Sequence, residues 1–150
     1  MTRHELREYI FKIVFQIPFY GADKMDEQTA DNIDALKLLI EEPLEEEDKI
    51  KLTKKDEAYI TQKVKGIIEH LGELDETLRS SSRNWELERL GKEELAILRL
   101  ATYEILHDDD IPNAVAINEA VEIAKEYSGE KASCFINGVL AGIIADRTDK

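Results

Sequence analysis

The side chains in this 150-residue chain best suited to metal or nucleophilic chemistry are three histidines and one cysteine. His4, His70 and His107 fall in separate segments without a Cys or a second His at ligand spacing. Each therefore reads as a surface or helix-end histidine, and no metal is expected. Cys134 adjoins Phe135 in a core-like pattern, where a free thiol behaves as a small buried hydrophobe rather than a nucleophile. Carboxylates such as Glu93 and Glu94 are plentiful, so their pairing reads as solvated helix surface before it reads as acid–base machinery. There is no Gly-rich phosphate loop, GxSxG, HExxH or paired CxxC. Neither an enzyme nor a cofactor is expected.

Charge points elsewhere. The net charge is −13, which by itself predicts repulsion from nucleic acid, because Lys and Arg contacts to phosphate supply most non-specific affinity. The distribution is uneven: residues 1–20 carry a net +1, residues 21–50 −8, residues 51–90 zero and residues 91–150 −6. The amino-terminal segment, with Arg3, Arg7 and Lys12 among aromatic residues, is the one place where cations prevail, although Glu5 stands inside that cluster.

The elements that must position these groups read as helices. Thr2 and Glu5 have capping-box spacing, and Leu6, Ile10, Ile13, Val14 and Ile17 form one apolar stripe up to Pro18, leaving Arg3, Arg7 and Lys12 off it. Asp26 caps a second helix with Ala30, Ile33, Leu36 and Ile40 inward, and the acidic run 41–49 is a solvated connection. Thr53 opens a third helix along Ile60, Val64, Ile67, Ile68 and Leu71, with Lys54, Lys55, Lys63 and Lys65 mostly outside and Gly72 as a left-handed stop. Leu74 and Leu78 predict a short fourth helix, and the serines at 80–82 a turn before Trp85. Three more helices span 92–106, about 113–127 with Tyr127 on its inner side and Gly129 as its stop, and about 131–146. Gly138 and Gly142 inside the last imply close helix packing, since each otherwise costs roughly 1 kcal/mol relative to Ala. No segment alternates with a period of two, so the expected fold is all-α, one domain over 1–150, a bundle of six or seven helices. One thiol, no secretory leader pattern and no apolar run near the roughly 20 residues of a membrane span fit a cytoplasmic protein.

Several blocks are more particular than core packing requires. They are 85–90 (WELERL), 97–104 (ILRLATYE), Ile111-Pro112 with 115–125 (VAINEAVEIAK), and 135–140 (FINGVL). In order and spacing they resemble the NusB family of bacterial transcription antitermination proteins. Arg7-Glu8 followed by Phe15-Gln16 is similar to the family's start, and the acidic stretch 21–56 resembles it least.

The resemblance implies an all-helical, non-catalytic RNA-binding protein. It would pair with the ribosomal protein NusE, bind single-stranded boxA RNA in nascent transcripts, and act with other Nus factors and RNA polymerase against termination, notably on ribosomal RNA operons. By position it implies RNA-binding roles for Arg3, His4, Arg7, Phe15, Glu94 and Phe135, with a phosphate or partner contact at Lys131. It leaves both a monomer and a homodimer open. Asn118 and Asn137 match family asparagines and read first as helix-start or inter-helix hydrogen-bonding groups. Stacking on rings and cations along the backbone are how unpaired RNA is held, and Phe135 and Arg7 suit those roles, while helical spacing alone would bury Phe135 and Phe15. With so few local cations, RNA affinity should be weak without the basic partner. The alternative is an acidic adaptor that binds protein only.

Overall fold

The computed structural model describes residues 2–16, 53–81 and 90–148, and among these are six helices and no strand. They are α1 (Arg3–Phe15), α2 (Lys54–Glu69), α3 (Leu71–Ser81), α4 (Lys92–His107), α5 (Asn113–Tyr127) and α6 (Glu130–Thr148). The expected helix over 26–40, the acidic connection at 41–49 and the Trp85 turn lie outside the described residues.

Local chemistry sets most of the helix ends. Thr2 Oγ1 accepts the Glu5 backbone N–H at 3.1 Å, and Thr53 and Asp56 form a full reciprocal capping box. Gly129 ends α5 at φ +94°, as its place after Tyr127 predicts. Gly72 has no such role. His70 caps α2, the next helix restarts at Leu71, and Gly72 lies inside it, so the short helix expected around 74–78 extends to Leu71–Ser81.

The fourth helix is the axis of the fold. Every residue from Leu95 to Thr102 is buried, because α1, α2, α3, α5 and α6 all pack on it. A helix apolar nearly all round belongs in the middle of a bundle. The other helices contribute one stripe each, such as Ile10 and Val14, Val64 and Ile67, Leu74 and Leu78, Ala120 and Ile123, and Ile136 and Leu140.

Charge also enters this core. Arg99, 1% exposed, is held bidentately by Asp75 of α3 with both N–O distances at 2.9 Å. Arg7 and Lys63, expected off their apolar stripes, are buried as well, because each reaches a carboxylate on α4. Other expectations fail on α5 and α6. Cys134 is exposed, since Ser133 and Ile136 take the inner positions of that helix, and Tyr127 is 37% exposed. Among the described residues, a Cβ at Gly138 would meet nothing within 4 Å and one at Gly142 nothing nearer than the Ser81 carbonyl at 3.9 Å, so no described helix crosses tightly at either. Asn118 and Asn137 are exposed within helices, with no side-chain hydrogen bond to another described residue.

Candidate nucleic-acid interface

A groove of about 550 Å³ runs where the start of α1 meets α2, the end of α4 and the start of α5. Its basic groups are Arg3, Arg7 and Lys63, and its acidic ones Asp108, Asp110 and Glu119. Arg3 is exposed at the mouth, its guanidinium 4.6 Å from the centre of the Tyr59 ring. That cation–π contact steers the side chain without neutralising it. Among the described residues Arg3 makes no ion pair.

Beneath it lies a closed charge network. Arg7, 3% exposed, places Nε 3.2 Å from both oxygens of Glu104. Lys63 donates to Glu104 at 3.1 Å, to Asp108 at 2.9 Å and to the Tyr59 hydroxyl at 2.9 Å. Burial pushes the Lys63 ammonium down, but Glu104, Tyr59 and Asp108 outweigh it and hold the pKa above its ordinary value. Arg7 Nη1 also lies 4.0 Å from Glu119, so both cations are engaged by the protein's own carboxylates, and the network serves as the floor of the groove.

At the other rim His4 joins two helices. Its Nδ1 is 2.6 Å from Glu119 of α5 and its Nε2 3.0 Å from Glu8. The hydrogen bond to Glu119 raises the His4 pKa, desolvation opposes it, and the charges of Glu119 and Glu8 add to the rise. Burial raises the Glu8 carboxyl, helped by a hydrogen bond to Glu126.

The expected aromatic and acidic positions lie apart from the groove. Phe15 ends α1, about 18 Å along the helix from Arg3 at 1.5 Å per residue. It is 37% exposed, with its ring centroid 6.3 Å from that of the buried Phe11, which lies 5.0 Å from Tyr127 across the α1–α5 seam. Phe135 is half-buried against the core on α6. Glu94, in the first turn of α4, folds its carboxylate back toward the helix start. A Cβ at Gly91, the N-cap, would sit 2.3 Å from Glu94 Oε2 and would displace that carboxylate. This oxygen is enclosed and finds no hydrogen-bond partner among the described residues.

A family model described as NusB family matches residues 4–145. The chain belongs to the NusB family. A transcription antitermination protein NusB from Clostridium botulinum (strain Kyoto / Type A2) is 42% identical over 146 residues, covering 96% of this chain and all of the relative. Its namesake from Lachnoclostridium phytofermentans is 39% identical over 144 residues, covering 96% and 99%. Among solved structures, T. maritima NusB aligns with a TM-score of 0.74 at 32% identity, covering 97% of this chain and 92% of that one. A chain from the crystal structure of antitermination factors NusB and NusE in complex with dsRNA shares the fold, with a TM-score of 0.71 at 24% identity and coverage of 97% and 99%.

Within this NusB fold, three of the six residues singled out from sequence come together, Arg3 and Arg7 lining the groove and His4 bonded to Glu119 on its rim. Phe15, Glu94 and Phe135 do not join them. Arg7 is committed to Glu104, so its place is the groove floor rather than the surface. The residues that complete the groove, Tyr59, Lys63 and Glu119, were not singled out from sequence. A weak signal existed, since Tyr59 and Lys63 are four apart on one helix face. Lys131, a further position singled out, is exposed on the first turn of α6. Among the described residues no helix is long and apolar enough to cross a membrane.

Proposed function

We propose that this chain is a non-catalytic, cytoplasmic transcription antitermination factor. It binds the boxA element of a nascent transcript as unpaired RNA together with ribosomal protein NusE, and with other Nus factors and RNA polymerase it opposes termination, notably on ribosomal RNA operons. Family membership and the names of its relatives support this reading. The structure of NusB and NusE in complex with dsRNA that shares the fold supports the RNA and NusE parts of it.

The single observation that carries the RNA-binding part is Arg3, an exposed guanidinium laid on an aromatic ring at the mouth of a groove, on a chain that is otherwise a strong anion. A cation beside a ring face is the pairing that holds a phosphate and its base together in unpaired RNA. Exposed rings at Phe15 and the half-buried Phe135 offer further stacking positions.

His4, Arg7 and Lys63 are all held by the protein's own carboxylates. That leaves little free positive charge, so the chain alone binds RNA weakly and a basic partner supplies the rest of the phosphate contacts. The test is a titration of boxA RNA with the protein alone and with NusE added. Much tighter binding in the presence of NusE is expected, and equal affinity in both removes the cooperative part of the reading. The same engagement of cations favours a second reading, an acidic adaptor that docks a basic protein and never touches RNA. It predicts an intact complex with NusE and no RNA contribution from this chain.

A further inference from the structure

Far from each other in sequence, His70 and His107 meet where the end of α2 packs against the end of α4, with ring centroids 4.1 Å apart. Glu73, in the first turn of α3, joins them with Oε1 3.1 Å from His107 Nε2. His70 Nδ1 lies 2.8 Å from the Gly66 carbonyl oxygen. A carbonyl only accepts, so Nδ1 carries the proton and the lone pair of Nε2 is left for another partner. The ring of Tyr103 stands behind both imidazoles, at 6.0 Å from His70 and 5.5 Å from His107.

We propose that His70 Nε2, His107 Nε2 and a Glu73 carboxylate oxygen form a surface site for a divalent first-row transition ion of the zinc type. One ligand atom from each residue lies within 4.8 Å of the others. Tetrahedral Zn²⁺, with bonds of about 2.0–2.1 Å, sets its ligand atoms about 3.3 Å apart. The Glu73–His107 pair, at 3.1 Å, is already at that separation. The third ligand atom lies within 4.8 Å of these two, so closing the triangle is within the torsional reach of side chains at the surface. Two imidazoles and one carboxylate favour zinc, cobalt, nickel or copper over magnesium and calcium. The Gly66 carbonyl plays the orienting part that an outer-shell acceptor plays for a metal-bound histidine. The Glu73–His107 pair and the Gly66-oriented His70 thus bring two imidazoles and a carboxylate to one point.

A second cluster, His4, Glu8 and Glu126, also converges, but with one imidazole against two carboxylates it is the poorer match to an ion of the zinc type. The proposed site is independent of the RNA-binding reading. It touches the groove at one point, His107, where an ion would add two positive charges to the rim.

The test is calorimetric titration of the full chain with Zn²⁺ alone near neutral pH, alongside Co²⁺ absorption and the imidazole proton signals of the wild-type protein. One ion per chain is expected, with tetrahedral cobalt bands and shifts at His70 and His107 but not at His4. His70→Ala and His107→Ala should each weaken binding about 10-fold or more, and Glu73→Gln by a comparable factor. The absence of stoichiometric binding to the wild type overturns the proposal. So does binding that survives both histidine substitutions, or that disappears in His4→Gln. The wild-type proton signals decide the matter should a variant fail to fold.

Discussion

Arg7 of α1 and Glu104 of α4 form a salt bridge in the interior, with Arg7 Nη2 3.2 Å from Glu104 Oε2 and both side chains almost fully enclosed. Sequence position gave Arg7 a role at the RNA surface, and the fold makes it a strut. Removing one partner of such a pair strands the other charge away from water, which costs far more than losing an exposed pair.

Arg7→Ala should therefore destabilise the protein in urea unfolding, by up to about 3–5 kcal/mol, because Glu104 keeps only Lys63, and Glu104→Gln by a similar amount, because it leaves Arg7 only Glu119 at 4.0 Å and Lys63 only Asp108 at 2.9 Å. Arg7→Lys should recover only part of this, since an ammonium cannot reproduce the guanidinium fork. Losses below about 1 kcal/mol, the scale of an exposed pair, would contradict the buried network. Arg7 is for the same reason a poor probe of RNA binding.

Arg3 is the better probe. Arg3→Ala should leave stability within about 0.5 kcal/mol, weaken boxA binding by the NusE complex, and reduce the steepness of its log–log salt dependence by about 0.7, the share of one phosphate contact on a single strand. An unchanged salt slope with NusE still bound would favour the adaptor reading.

Gly66 is forced by Tyr103. A Cβ there would come within 2.1 Å of the Tyr103 hydroxyl oxygen, closer than any real contact. Gly66→Ala should gain about 1 kcal/mol of helix propensity and lose more by displacing the ring, a net destabilisation of about 1 kcal/mol. In a Tyr103→Ala background the same change should turn stabilising. A thermal-melt cycle over the four proteins measures the sign, and its failure to reverse would refute the contact.

His4 predicts a pH dependence. Its folded pKa is raised above the ordinary 6.5 by the hydrogen bond to Glu119, with Glu8 adding its charge. The stabilisation is therefore complete below about pH 6.5 and is lost as pH rises through the raised value. Proton NMR should show His4 titrating above its ordinary value, and Glu119→Gln should bring it back toward that value. The stability gap between wild type and Glu119→Gln should narrow as pH rises; a gap that widens would reverse the assignment.

Much of the scaffold is legible in the chain. Thr2 and Thr53 announce their helices through capping chemistry, Gly129 stops α5, and apolar spacing marks the inner faces of α2 and α4. These signals are local. Arg7 and Lys63 are misread because charge at the edge of an apolar stripe looks solvated until its partner is known. That partner, Glu104, is 97 positions from one and 41 from the other. The convergence of His70 with His107 escapes for the same reason, since only tertiary packing brings two helix ends together. Cys134 fails differently: Phe135 beside it suggested an inner face, but one residue is a rotation of about 100° on a helix, enough to turn it outward.

Four helices deposit ionic groups in the interior: Arg7 from α1, Lys63 from α2, Asp75 from α3, and both Arg99 and Glu104 from α4. Removing α3 takes Asp75 from Arg99, and removing α1 or α2 takes from Glu104 one of its two buried cations. Partial opening is thus penalised at several places at once, and amide exchange in α1 through α4 should report one shared, concerted release rather than a ladder of separate fraying events.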